Sequence, residues 1–346
     1  MNDQYTPREE EMLDNNRDQV VHQVQSLREV QQELKEVVGD KAILVVDTLG
    51  GGARLFRQGI EKLKGRGRAY DALADIYLQH MFGGEMPDNV VDMVRYFLGR
   101  DIKVVGHNIK DGRSDKDAEI SAAIFTGSPA DVSKAFSSEF VDKEIRQWAG
   151  ITHGEVFKRA SELYTEAAAR NLPIMGICYG HQVMSKMRGG DVVRSAGRGE
   201  DGASLIESGE HTEMLVGVLD RAEGIAGSIA SYHSEEVAPN PRQSAIILRS
   251  TEARPEMVHG LIHIADAEFT TDTKTDIALV RSLLADSKHV GLSVQGHPEE
   301  TDQEKIITFA FTEDEKLFQE TGGKIVTADI LDILTRFLGK HGKFKK

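Results

Sequence analysis

Residues 172–182 read Leu-Pro-Ile-Met-Gly-Ile-Cys-Tyr-Gly-His-Gln. The stretch 172–178 is short and apolar, which is typical of a buried parallel strand. The pattern from Tyr179 to Arg188 predicts a helix that ends at the glycine pair 189–190. The pentapeptide 176–180, with Cys178 at its centre, therefore occupies a strand-to-helix turn. A turn of this kind can act as a nucleophile elbow, which holds a reactive side chain at the carboxyl edge of a sheet.

Further strand and helix patterns lie on both sides of this turn. Helical patterns occur within 57–98, over Gly154 to Asn171 and near the C-terminus. Short apolar runs predict strands, and they lie at 42–46, 102–105, 122–125, 245–248, 260–264 and 289–295. Strands that alternate with helices indicate an α/β fold with a doubly wound, mostly parallel sheet and helices on both faces.

The composition narrows the class of protein. The chain has 346 residues, 40% of them hydrophobic, and its 42 basic and 56 acidic side chains give a formal charge of −14. Such a composition excludes a chain that is disordered throughout. The excess of acidic over basic side chains argues against a nucleic-acid partner, because phosphate groups bind clustered Lys and Arg. Neither a membrane-spanning apolar run nor an apolar leader is recognisable, so we expect a cytoplasmic protein with no membrane association.

Cys178 is the single cysteine, so neither an internal disulfide nor a cysteine-based zinc site can form. At the elbow, the helix N-terminus would favour its thiolate form. The Tyr179 N–H would point to where an oxyanion develops. His297 follows another apolar strand, and Glu299 lies two residues further on, so a Cys-His-carboxylate triad is complete. The pentapeptide alone would also suit a buried cysteine in a tight turn.

The N-terminal region is predicted to be a helix from about Arg17 to Val38, with an apolar stripe on one side. Two interpretations remain open. The stripe packs against its own domain, or it pairs with a partner or with a second copy of the chain. We predict an N-terminal helical extension over 1–40 and a main domain over 41–346, with insertions near 57–98 and 265–288.

Five segments together resemble the class I, triad-type glutamine amidotransferases. They occur in the order of that family, and the resemblance covers roughly residues 41–312. The most specific segments are the elbow extended by its His-Gln pair and the His-Pro-Glu tripeptide. The five segments are 125–130, 176–182, 189–190, 231–237 and 294–299. The resemblance implies the flavodoxin-like fold of that family and hydrolysis of the glutamine side-chain amide to release ammonia.

The resemblance also implies a role for each matching residue. Cys178 would attack the glutamine amide, His297 would act as base and then as acid, and Glu299 would orient His297. The backbone N–H groups of Gly127 and Tyr179 would form the oxyanion hole. The neighbouring Glu300 also follows the histidine, but the family pattern favours the acid two residues after it.

The substrate's amino-acid end is expected to contact Gln182 and the backbone around His233, Ser234 and Glu235. The resemblance requires no cofactor and no metal. Residues 300–346 are too few for a synthase domain, so an ammonia-accepting synthase is expected in trans. Two alternatives stay open: a free-standing γ-glutamyl hydrolase or peptidase of the same fold, and a non-catalytic interaction protein that retains the fold.

Two further patterns are weaker. The triple glycine in 47–52 lacks the spacing of a phosphate-binding loop, and we interpret it as a tight turn. His259 and His263 are four residues apart but lie in a strand-like run. Their spacing therefore favours packing or hydrogen bonding over a metal site.

Overall fold

The structure is a computed structural model. It describes residues 25–49, 57, 60, 61, 64, 68–82, 84–115, 117–128, 130–135, 150–194, 200–222, 224–250, 257–265, 267–270, 272–298 and 326–344. The predicted triad acid Glu299 and its neighbour Glu300 lie outside the described residues. The triple glycine and the first part of the predicted N-terminal helix also lie outside them.

A sheet of ten strands organises the described part of the chain, in the order β3-β2-β1-β4-β5-β12-β11-β10-β7-β8, and β6 and β9 pair separately. The five strands from β2 to β12 are parallel, as predicted. Beyond β12 the sheet continues with antiparallel strands. The strands are β1 Ala42–Asp47, β2 Lys103–Asn108, β3 Gly112–Arg113, β4 Ile120–Phe125, β5 Ile174–Ile177, β6 Asp191–Arg194, β7 Glu200–Ser208, β8 Ala226–His233, β9 Glu235–Ala238, β10 Ser244–Ser250, β11 Val258–Ile264 and β12 Val290–Val294.

Helices cover both faces of the parallel strands. Alternate residues of β1 enter two separate apolar clusters, Ile43 and Val45 in one and Ala42 and Val46 in the other. The doubly wound α/β fold class is thereby confirmed. The described helices are α1 at 25–38, α2 Arg68–Phe82, α3 Val90–Leu98, α4 Val132–Ala135, α5 His153–Ala169, α6 Tyr179–Met187, α7 Thr212–Leu219, α8 Thr273–Ala285 and α9 Thr327–Lys340, followed by a 3₁₀ turn Gly342–Phe344.

Local sequence determines where several helices begin. The Thr152 side chain accepts a hydrogen bond from the backbone N–H of Glu155, and the Glu155 carboxylate accepts one from the backbone N–H of Thr152. This capping box fixes the start of α5. At α3 the Asn89 side chain accepts a hydrogen bond from Asp92 N–H, a simple N-terminal cap. These side chains satisfy backbone donors that would otherwise lack partners.

The apolar stripe of α1 packs against its own domain. Leu27, Leu34 and Val38 are buried in the main core. Gln31 interrupts the stripe, and its side-chain amide donates to the carbonyls of Tyr96 and Phe97 at the end of α3. The first of the two interpretations of the N-terminal helix therefore holds for residues 25–38. The boundary at residue 40 remains a prediction.

The two predicted insertions contain helices. Helices α2 and α3 lie within 57–98, and Val90, Val94 and Phe97 of α3 join the main core. Helix α8 lies within 265–288 and buries Val280 and Leu284 in the same core. These buried side chains belong to the fold itself, because burial of apolar surface is the main stabilising contribution to it.

Candidate active site

The elbow is built by glycines on both sides of Cys178. A Cβ atom on Gly176 would lie 2.6 Å from the carbonyl carbon of Gly180, and one on Gly180 would lie 2.8 Å from the Cβ of Phe125. Neither position tolerates a side chain without movement. The close approach of β4, β5 and α6 therefore depends on these two residues.

Cys178 itself adopts a backbone conformation that non-glycine residues rarely occupy, with φ 51° and ψ −103°. Its N–H donates to the Val294 carbonyl at 2.8 Å, and its carbonyl accepts from Gln182 N–H at 3.1 Å. The strained residue is thus held from β12 on one side and from α6 on the other. Backbone strain of this kind marks functional sites in which the surrounding structure imposes the geometry.

His297 lies beside the cysteine. A Cβ atom built on Gly127 would be 2.6 Å from Cε1 of His297 and 3.5 Å from the Cβ of Cys178. The three predicted residues therefore converge at one place, although they follow three different strands. Cys178 and His297 are both nearly buried, with 4% and 8% of their surfaces exposed. Strand order brings them together because β4, β5 and β12 are neighbours in the sheet.

The loop that carries Gly127 is fixed from β1. The Thr48 hydroxyl lies 2.8 Å from the Thr126 carbonyl and 2.7 Å from the Gly127 carbonyl. The Thr126 hydroxyl donates to the Val46 carbonyl at 3.0 Å. These buried hydrogen bonds orient the peptide units at Gly127. Thr48 belongs to no sequence motif, and its position at the end of a strand indicates only a turn.

The predicted substrate-binding segment around residue 235 also serves the local structure. The Glu235 carboxylate accepts hydrogen bonds from the N–H groups of Val132 and Ser133 at 2.6 and 2.8 Å. Burial raises the pKa of this carboxyl above its ordinary value, and these hydrogen bonds oppose the shift. The Ser234 hydroxyl donates to Asp131 at 3.3 Å, and the His233 Nδ1 donates to the Glu235 carbonyl at 2.9 Å.

Tyr179 and Gln182 are both buried on the first turns of α6. Burial, reinforced by the carboxylates of Glu235 and Asp131, raises the pKa of Tyr179 well above 10, so its phenol stays protonated. The Tyr179 N–H belongs to the first residue of α6, directly after Cys178. Its role in an oxyanion hole and the substrate contact of Gln182 remain predictions.

A buried polar network lies behind the elbow. Ser293 on β12 bonds the His181 Nδ1 at 2.8 Å and the His263 Nε2 at 2.7 Å, and the His263 Nδ1 bonds Ser244 at 2.9 Å. Burial lowers the pKa of His181 well below 6.5, and nearby histidines add to the effect. Burial and the charge of Arg188 lower the pKa of His263 to about 3. Both rings are therefore neutral, and the hydrogen-bonding role predicted for His263 is confirmed.

Two general features of the described residues bear on chemistry. No group of three or more His, Cys, Asp or Glu side chains among them could hold a metal ion. Within the same ranges, no helix has the length and apolar character that crossing a membrane requires.

Comparisons with known proteins identify the family. The model of the family "Glutamine amidotransferase class-I" matches residues 82–313. One subunit of the glutamine-hydrolysing GMP synthase of Methanopyrus kandleri is 28% identical over 153 residues, which cover 43% of this chain and 79% of that protein. A glutamine-hydrolysing GMP synthase of Azoarcus sp. is 36% identical over 100 residues, 28% of this chain and 18% of that one. A glutamine amidotransferase structure from Thermotoga maritima covers 89% of this chain and 99% of its own, with 13% identity and a TM-score of 0.45.

Proposed function

Since the chain belongs to the class I glutamine amidotransferase family, we propose that it hydrolyses the glutamine side-chain amide with Cys178 and delivers ammonia to a separate synthase. One observation carries the proposal: the strained Cys178, the His297 ring and Gly127 meet at the carboxyl ends of three neighbouring strands. This grouping supports the proposal because nucleophilic catalysis needs a nucleophile, a base and a backbone site for the oxyanion, roles that we assign to Cys178, His297 and Gly127.

The proposed reaction has two halves. His297 takes the proton of the Cys178 thiol, the sulfur attacks the carboxamide carbon of glutamine, and the carbonyl oxygen becomes an oxyanion held by the N–H groups of Gly127 and Tyr179. The carbon–nitrogen bond then breaks, His297 gives a proton to the leaving nitrogen, and ammonia departs from a γ-glutamyl thioester. His297 next takes a proton from water, which attacks the thioester carbon. The carbon–sulfur bond breaks, the imidazolium returns its proton to the sulfur, and glutamate and the free thiol are released.

Two supporting roles complete the proposal. Glu299 orients His297 and stabilises the imidazolium. Gln182 and the backbone of 233–235 hold the substrate's amino-acid end. The near-complete burial of Cys178 and His297 suits a small amide substrate.

The ammonia acceptor is proposed to be a second chain. The Methanopyrus kandleri relative carries the name of a synthase component, which supports an acceptor in trans. The test is ammonia release from glutamine, measured for the protein alone and after addition of proteins captured with it. Stimulation by a captured synthase is the expected result. Turnover of γ-glutamyl peptides without turnover of glutamine would instead identify a γ-glutamyl hydrolase.

A further inference from the structure

Gln295 contacts the reacting sulfur, and neither the family resemblance nor the proposed triad gives it a role. Its side-chain Nε2 donates to the Sγ of Cys178 at 3.8 Å. The side chain is almost fully buried, with 1% of its surface exposed. A primary amide with an N–H directed at sulfur stabilises the thiolate more than the thiol, because a hydrogen bond to a charged acceptor is the stronger one.

The backbone fixes Gln295 in this position from both sides. Its own N–H donates to the His259 carbonyl on β11 at 2.9 Å, and the preceding residue, Val294, accepts the Cys178 N–H at 2.8 Å. The side chain therefore starts from a strand end that is bonded to the elbow itself. Little reorganisation is needed to keep the amide against the sulfur, which is what electrostatic preorganisation requires.

The oxygen of the same amide indicates that a ligand binds here. The Gln295 Oε1 is buried and has no hydrogen-bond partner among the described residues. A buried acceptor without a donor is unfavourable, and such groups call for a specific explanation. The proposed reaction brings one class of N–H donor to the sulfur, the carboxamide nitrogen of the substrate, which leaves as ammonia. That nitrogen must lie within a few ångströms of Sγ during attack.

We propose that Gln295 is a catalytic residue whose Nε2–H holds the Cys178 sulfur as thiolate and whose Oε1 accepts an N–H of the scissile carboxamide. This inference rests on the proposed function for the identity of the substrate. The contact with sulfur is independent of any substrate and can be measured without turnover.

The first test measures the thiolate fraction of Cys178 in the absence of substrate. Because Cys178 is the single cysteine, the rate of its alkylation by iodoacetamide as a function of pH reports its thiolate fraction. Gln295→Met keeps the volume of the side chain and removes the N–H. We expect the midpoint of the rate profile to move up by about one pH unit, with an unchanged limiting rate at high pH. Ser293→Ala, two residues earlier on β12 and hydrogen-bonded to His181 and His263 rather than to the sulfur, should leave the midpoint in place.

The second test asks whether the Gln295 Oε1 accepts a hydrogen bond from the amide group of the substrate. A γ-glutamyl methyl ester has the same carbonyl carbon for the sulfur to attack, but it has no N–H group next to that carbon. Gln295→Met should lower kcat/KM for glutamine about tenfold more than kcat/KM for the ester, because only the amide loses a hydrogen bond. Equal losses on both substrates would overturn this part of the proposal.

The outcomes separate the two proposals. A midpoint that stays in place or moves down in Gln295→Met overturns the role of Gln295, even if glutamine is hydrolysed. A raised midpoint in a protein that turns over neither substrate supports the sulfur contact and refutes the proposed function. If the methionine variant fails to fold, Gln295→Asn withdraws the same amide by one methylene and should also raise the midpoint.

Discussion

The neutral His263 predicts a specific loss of stability in mild acid. Burial and the charge of Arg188 lower the pKa of His263 from 6.5 to about 3. The unfolded chain takes up a proton at this residue below about pH 6.5, whereas the folded protein does not. The stability that depends on the neutral ring is therefore fully present above pH 6.5 and is lost progressively as the pH falls towards 3.

The size of the effect follows from proton linkage. Between about pH 7.5 and about pH 5.5 the unfolded state gains most of one proton at this site, which lowers the free energy of unfolding by about 1.4 kcal/mol. His263→Gln keeps a polar side chain beside the serines but cannot titrate. The free energy of unfolding of this variant should consequently fall by about 1.4 kcal/mol less than that of the wild type over the same interval.

The assay is urea unfolding followed by circular dichroism at both pH values, with the variant compared with the wild type. Only the difference in pH dependence matters, so a constant loss of stability from the substitution does not affect the result. His289, whose pKa burial lowers to about 3 as well, gives a replicate, since His289→Gln should remove a similar increment. Equal pH dependence in wild type and variants would refute the conclusion that these rings are held neutral.

Three further predictions concern the site and the core. Gly127→Ala should lower kcat about 100-fold in a folded protein, because the new methyl group must displace the His297 imidazole by about 1 Å; Gly154→Ala, in α5 where a Cβ atom would make only ordinary van der Waals contacts, is the matched control. Leu34→Ala should lower the free energy of unfolding by roughly 2–5 kcal/mol, since this fully buried side chain belongs to the core, and thermal or urea unfolding measures the loss. Glu299→Gln should lower glutamine turnover strongly with little change in affinity, while Glu300→Gln should retain near-normal steady-state kinetics.

The opposite outcome of each measurement would change the role of the residue concerned. Unchanged kcat in the Gly127 variant would mean that the imidazole acts from another position. If the Leu34 variant were as stable as the wild type, the packing of α1 would not contribute to the stability of the core. A reversed order of the two glutamate variants would transfer the orienting role to Glu300, and small effects in both would mean that another group orients the imidazole.

The parallel half of the fold could be predicted from sequence because its strands are continuous apolar runs. The run before Cys178 and the helix after it both lie where the pattern placed them, as β5 and α6. Part of the antiparallel half was also predicted, because the apolar runs 245–248 and 260–264 lie in β10 and β11, but the antiparallel direction of these strands was not. Strand β7, Glu200–Ser208, has no continuous apolar run, and its pairing with β8 is a long-range contact that local patterns do not specify.

In the candidate active site, too, residues in local motifs could be predicted, whereas residues that matter through long-range contacts could not. Cys178 and His297 could be found because each follows a strand and belongs to a short motif. Thr48 belongs to no motif, and Gln295 lies in the segment 294–299 without a predicted role. The importance of both residues comes from distances across the sheet. The available signal for Gln295 was its position directly after an apolar strand and two residues before His297.

The proposed function depends on Cys178 as the nucleophile that hydrolyses glutamine. The most direct measurement combines ammonia release from glutamine with mass spectrometry of the intact protein after exposure to a glutamine-mimicking electrophile. The wild type should release ammonia and gain one label, and Cys178→Ala should stay folded, release none and gain no label. Full activity in the folded alanine variant would contradict the account.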